Sequence, residues 1–153
     1  MFDKWAAYTL VGTRFHPAEV VDFLSTIELS DKELAAYGAP FPSRIYMSGV
    51  RAFPSLINTL SDRPTNEGAR EVHERCSRGA REVLDHFDRP VLTLFGRRDE
   101  NMGNDLIQSL MRDRVPGAVG QPHHSYEDAG HFVQEDKGED VARRVNSFIT
   151  ANP

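Results

Sequence analysis

At 153 residues, with 39% hydrophobic and 27% charged side chains, the chain can bury the core of one soluble domain and lacks the bias of a disordered one. A formal net charge of -5 and the absence of any stripe of Lys and Arg argue against a nucleic-acid partner. The single cysteine, Cys76, excludes an internal disulfide. Apolar runs such as Val91 to Phe95 are too short to span a bilayer, and Met1-Phe2-Asp3-Lys4-Trp5 is no secretory leader, so the expected setting is the cytoplasm.

Short helices joined by proline-rich turns are expected over the first sixty residues. Pro17 opens a helix whose apolar positions Val20, Val21, Phe23 and Leu24 fall at helical spacing. Ser30-Asp31-Lys32-Glu33 has the form of a capping box, and the helix it starts should stop near Gly38. Pro40 and Pro42 break the chain; a third helix is predicted over Arg44 to Val50, and Pro54 should break the segment that follows it. A polar loop from Ser61 to Gly68 precedes the longest predicted helix, Glu67 to Phe87. There Val72, Cys76, Ala80, Val83 and Phe87 form one apolar stripe and charged residues face water.

The pattern changes at Pro90. Val91 to Phe95, closed by Gly96, is a continuous apolar run of the kind buried on both faces of a parallel sheet. A polar loop from Arg97 to Asn104 leads to an amphipathic helix carrying Leu106, Ile107 and Leu110, which Pro116 and Gly117 end. Pro122 to Glu127 is a second predicted strand. After Asp128-Ala129-Gly130-His131, a last helix opens at Asp136 or Lys137 and should turn Val141, Val145, Phe148 and Ile149 inward. Strand, loop and helix, twice over, is the rhythm of a doubly wound α/β sheet. Two strands alone leave both sheet edges open, so the fold expected is a portion of a larger α/β structure.

Ligands of such sheets collect beyond the carboxyl ends of the strands. The loop after the first strand holds Arg97, Arg98, Asp99 and Glu100, and the loop after the second holds Asp128 and His131. An acid and then a histidine in these places match the chain order of α/β-hydrolases, where the carboxylate fixes the imidazole tautomer and stabilises the imidazolium. Each residue alone has a plainer reading, the histidine as a loop residue and the aspartate as a helix cap. Trp5 alone reads as a core or interface aromatic. His123 and His124, adjacent on a strand, point to opposite faces and do not suggest a shared metal ion. Arg97 and Arg98 read as solvated surface charges or as contacts for an anionic substrate.

Four blocks stand in order along the chain: Phe2-Asp3-Lys4-Trp5; Ala36 to Pro42 with Gly49-Val50-Arg51-Ala52-Phe53-Pro54; Gly96-Arg97-Arg98-Asp99 with Gly103 and Asp105; and Gly120-Gln121-Pro122-His123 followed by Asp128 to Glu135. Together they resemble the haloalkane dehalogenase family. The resemblance implies the C-terminal portion of an α/β-hydrolase fold, with a helical cap segment over 1–63 and the last two strand–helix units of the core over 64–153. It implies that His131 is the base that activates water, that Asp99 orients it, and that the indole N–H of Trp5 meets the leaving halide. Phe2, Phe53, Pro54, Ile57, Met102 and Phe132 fall where the family lines an apolar pocket for a small halogenated alkane, although ordinary packing between cap and core would explain them equally well. Asn101 departs from the family, which usually has an apolar residue there. No metal or other cofactor is implied.

The family's nucleophile is an aspartate on a sharp strand-to-helix turn with paired glycines, upstream of the cap. This chain has no Gly-Gly pair and no two glycines four residues apart, so neither that turn nor a G-x-S-x-G elbow is present. Carbon–halogen attack therefore has no candidate residue in this chain, and a missing N-terminal half is a candidate partner. Two other readings stand beside a dehalogenase portion. One is an epoxide hydrolase, for which Tyr8, Tyr37 and Tyr46 offer acids. The other is a non-catalytic remnant or half-protein that needs a partner chain.

Overall fold

The computed structural model describes residues 2–56 and 67–153. In chain order the elements are α1 (Phe2–Val11), α2 (Pro17–Leu24), α3 (Asp31–Gly38), a 3-10 turn (Arg44–Met47), α4 (Ser48–Leu56), α5 (Glu67–Leu84), β1 (Leu94–Gly96), α6 (Asp105–Arg114), a 3-10 turn (Pro116–Ala118), β2 (His124–Tyr126), α7 (Val133–Asp136) and α8 (Gly138–Ala151). They divide into two compact units, one drawn from Met1–Val20 and Ser30–Arg81, the other from Val21–Leu29 and Glu82–Pro153. No helix among the described residues is long and apolar enough to cross a membrane.

In the first unit α1 packs on α4, and Phe15, Ala18 and Met47 are buried. Arg51 is buried with them at 6% exposure. Its Nη2 donates to the carbonyls of Leu10 (2.7 Å) and Gly12 (2.9 Å), which α1 leaves unpaired where it ends, and its guanidinium stacks 5.5 Å from the Phe15 ring. The burial of a charge is thus offset by two hydrogen bonds and an aromatic face. The capping box forms as the sequence indicates: Ser30 N–H donates to Glu33 Oε2 at 2.7 Å, and Glu33 N–H reaches Ser30 Oγ at 3.4 Å. Hydrogen bonds from the Ser30 hydroxyl and N–H hold the Glu33 carboxyl below its usual range.

The structure corrects the expectations for α4 and α5. The helix foreseen over Arg44 to Val50 begins as a 3-10 turn and continues as α4 to Leu56, straight through Pro54. Pro54 lies in the last turn with its ring buried, and that burial offsets the single donor it removes. On α5 the apolar stripe is not covered: Cys76 and Ala80 are exposed and Val83 is 62% exposed. Of the described residues of the expected stripe only Phe87, beyond the end of α5 at Leu84, is half-buried; periodicity marks a face that can be buried, not one that is. Most of the loop expected over 61–68, and the side chain of Val72, lie outside the described residues.

The second unit is built on a parallel pair of strands in register Leu94↔His124, Phe95↔Ser125 and Gly96↔Tyr126. Val21, Leu29, Val115, Ala118, Tyr126 and Ala129 are its buried apolar residues. Both strands occur where the sequence puts them but are only three residues long. Val91, Leu92, Leu94 and Phe95 are half-buried rather than enclosed on both faces. A strand is as long as its pairing, and each of these has one neighbour among the described residues.

On α6 the side chain that is buried is Gln108, at 2% exposure, while Leu106 (67%) and Leu110 (43%) face outward. The amide of Gln108 donates to the Gly103 carbonyl (2.8 Å), and its oxygen accepts from Ser125 Oγ (2.5 Å) and Arg112 Nη2 (3.1 Å). Arg112 continues to Ser125 Oγ at 2.9 Å. His123 extends the polar core: Nδ1 accepts from the Thr93 N–H (3.1 Å), so its proton sits on Nε2 and is donated to the Ala118 carbonyl (2.8 Å). α8 is fastened by Asp140, which accepts from Tyr126 Oη (2.8 Å), Arg144 Nε (2.6 Å) and Arg143 Nη2 (2.7 Å). The arginine and tyrosine donors keep the Asp140 carboxyl far below the usual range. Contrary to expectation, Val145 and Ile149 of α8 are exposed, while Val141 and Phe148 are half-buried.

Candidate active site

Both residues of the expected acid–base pair lie in the second unit, one loop beyond each strand. β1 ends at Gly96, where the backbone turns toward the loop after β2: Arg97 N–H donates to the Tyr126 carbonyl (2.8 Å) and Arg98 N–H to the Ala129 carbonyl (2.9 Å). No side chain fits at Gly96, because a Cβ would meet the carbonyls of Gly130 and Ala129. The loop then folds back on itself, with Gly103 N–H on the Asp99 carbonyl at 2.8 Å.

Asp99 is 8% exposed. One oxygen, Oδ1, accepts from the N–H of Asn101 at 2.9 Å, and the other, Oδ2, lies 2.8 Å from His131 Nδ1. An ionised carboxylate only accepts, so the proton of the neutral imidazole sits on Nδ1 and Nε2 is left as the basic nitrogen. Burial pushes the Asp99 carboxyl up, but the His131 ring and the N–H groups of Asn101 and Met102 reverse this and hold it below the usual range. The His131 side chain is 41% exposed, with the Phe132 ring edge-on at 5.1 Å. This arrangement can take a proton from a water molecule at Nε2 and stabilise the resulting imidazolium through Asp99.

His131 is held from behind by a segment that sequence reasoning passed over. Its N–H donates to the Leu24 carbonyl at 3.0 Å. Asp136, read from sequence only as a helix opener, accepts from Gly130 N–H (2.6 Å), Thr26 N–H (2.7 Å) and Ile27 N–H (3.2 Å). No local signal could have shown this, since Thr26 and Asp136 are separated by 110 positions.

The remaining expected site residues belong some to the first unit and some to the second. Trp5 sits half-buried on α1 among aromatics of the first unit, 6.0 Å from the rings of Tyr8 and Phe15. Phe53 is 63% exposed on α4, and Pro54 beside it is buried. Met102, at 45% exposure, lies in the Asp99 loop, and Phe132 is half-buried next to His131. Ile57 and the side chain of Phe2 lie outside the described residues. Asn101 contributes through its backbone to Asp99. Arg97 pairs with Asp105 and, at 3.6 Å, with Glu127. Among the described residues no cluster of His, Cys, Asp and Glu could hold a metal ion.

No protein-family model matches the chain. Curated relatives do. The chain is 35% identical over 99% of its length to a haloalkane dehalogenase of Psychrobacter cryohalolentis, of which it covers 47%. It is 34% identical over 98% of its length to that of Mycolicibacterium paratuberculosis and 37% identical over 96% to that of Mycobacterium marinum, covering 46% of each. The resemblance read from the four sequence blocks is thereby borne out: the chain matches haloalkane dehalogenases along nearly all of its own length, and it spans about half the length of the curated relatives it matches.

Proposed function

We propose that this chain is the C-terminal part of a haloalkane dehalogenase and carries the water-activating half of its reaction. Residues 1–63 are the cap segment in this reading, and 64–153 are the end of the α/β-hydrolase core, working in the cytoplasm. The observation that supports it best is the Asp99–His131 pair, joined at 2.8 Å and one loop beyond each strand, on a chain similar throughout to curated haloalkane dehalogenases.

The whole enzyme displaces halide from an alkyl carbon by carboxylate attack and then hydrolyses the alkyl-enzyme ester to alcohol. His131 serves the second step. Its Nε2 removes a proton as water attacks the ester carbonyl, and Asp99 steadies the charge that forms on the ring. Trp5 donates its indole N–H to the departing halide. Phe2, Phe53, Pro54, Ile57, Met102 and Phe132 supply apolar surface suited to a substrate with few hydrogen bonds. The attacking carboxylate comes from residues outside this chain.

Halide release from 1,2-dibromoethane and 1-bromobutane tests the reading. It is measured with the chain alone and with a protein extended upstream on the same reading frame. Release by the extended protein only, abolished in His131→Ala, is the expected result. Release by the chain alone that survives His131→Ala and Asp99→Asn would overturn the roles of both residues. Epoxide hydrolysis by the extended protein without halide release would move the assignment to the epoxide hydrolases.

A further inference from the structure

We propose that Asp136 is a positioning residue for His131. Through it the chain segment 24–27 sets where the imidazole stands, an inference that rests on reading His131 as the base. The side chain of Asp136 makes no hydrogen bond to the imidazole, whose carboxylate partner is Asp99. It receives the N–H of Gly130, the residue immediately before His131, on Oδ2, and the N–H groups of Thr26 and Ile27 on Oδ1. Two further bonds run in parallel: His131 N–H to the Leu24 carbonyl at 3.0 Å, and Thr26 Oγ1 to the Asp128 carbonyl at 2.8 Å. The backbone donors of the histidine and of the residue before it are thereby fixed to one short segment and one carboxylate.

The chemistry needs a carboxylate in that place. Three N–H groups converge on the side chain from two sides, and only an acceptor with lone pairs on both oxygens can serve them all. Bonds to an ionised oxygen are also roughly twice as strong as neutral ones. An amide would turn an NH2 toward one of the donors. Gly130 completes the fit, since a Cβ there would press on the Leu24 carbonyl and lie 3.4 Å from Asp136 Oδ2. The bond from His131 Nδ1 to Asp99 is 2.8 Å long, so small displacements of residue 131 decide whether it forms.

The test uses the 15N-labelled chain at a pH where imidazole is neutral and reads the tautomer of His131 from its ring nitrogen shifts. Free histidine prefers the Nε2–H form; the hydrogen bond to Asp99 imposes Nδ1–H. The wild-type chain is expected to show Nδ1–H at His131, and Asp136→Ala to lose it in favour of Nε2–H, while Lys137→Met, which removes the neighbouring ion pair with Asp128, keeps it. A role confined to stability would lower the unfolding midpoint of Asp136→Ala and leave the tautomer alone, and that result overturns the proposal. Absence of the Nδ1–H form in the wild-type chain overturns the Asp99–His131 pair and the role of Asp136 with it. Should Asp136→Ala not fold, amide exchange in the wild type decides: Thr26, Ile27, Gly130 and His131 are expected to exchange slowly and together. Exchange of Gly130 at the rate of an open loop refutes the clamp.

Discussion

Gly96→Ala is the sharpest single perturbation of the candidate site. The added Cβ would stand 2.6 Å from the Ala129 carbonyl oxygen and nearer still to that of Gly130, where ordinary contact begins at 3.4 Å. Both obstacles are backbone, so no side-chain rotation relieves them. The loop carrying His131 must retreat by more than about 0.8 Å, a shift large enough to take the 2.8 Å Asp99–His131 bond out of hydrogen-bonding range. Crowding of this kind costs about 1–3 kcal/mol, and the lost bond to a charged group about 1.5–3 kcal/mol more. With a urea dependence of about 2 kcal/mol per molar, the unfolding midpoint should fall by more than about 1 M. Urea titration followed by far-UV circular dichroism measures this, and the ring nitrogen shifts of His131 report the broken pair. A midpoint within about 0.3 M of wild type, with the Nδ1–H tautomer intact, would refute the claim that Gly96 sets the approach of the two loops.

Three further outcomes follow from the same geometry. Gly79→Ala on α5 meets nothing within 4 Å and should stabilise the chain by about 0.5–1 kcal/mol through the loss of chain entropy in the unfolded state, seen as a higher urea midpoint. Gln108→Leu takes one partner each from the Gly103 carbonyl, Ser125 Oγ and Arg112 and should cost about 2–4 kcal/mol in the same titration; an unchanged midpoint would show the polar core to be dispensable. Asp99 has a folded-state pKa below its unfolded value of about 3.9, so the stability it contributes is full above that pH and is lost as pH falls through the lower folded value. The fall in urea midpoint between pH 6 and pH 3 should therefore be smaller in Asp99→Asn than in wild type, and an equal fall in both would contradict the depressed carboxyl.

What could be read from the sequence was local or ordered. The Ser30–Glu33 capping box lies within four residues, and the order of strand, acid loop, strand and histidine loop needs only chain direction. What could not be read was set by partners distant in sequence. Leu106 and Leu110 carry the helical periodicity of α6, yet the residue turned inward is Gln108, because three polar partners wait for it on the Asp99 loop, on β2 and on α6 itself. Asp136 has the look of a helix-opening acid, and its partners Thr26 and Ile27 lie more than a hundred positions away. Pro54 ends a helix by its local chemistry, and only its burial explains why α4 runs on to Leu56.

The exposures of the pair differ in the sense that its proposed task requires. A base that takes a proton from water must present one nitrogen outward, and the His131 side chain is 41% exposed with Nε2 unengaged among the described residues. The acid has the opposite need. At 8% exposure Asp99 is shielded from competition by water, and against the upward pull of burial the His131 ring and the N–H groups of Asn101 and Met102 hold its carboxyl below the usual range. A buried, hydrogen-bonded carboxylate can then hold the ring in one tautomer, while Leu24 and Asp136 fix the backbone on which that ring is mounted. Exposure of the base thus need not mean looseness: the side chain that must meet water is open, and the groups that aim it are bound from behind.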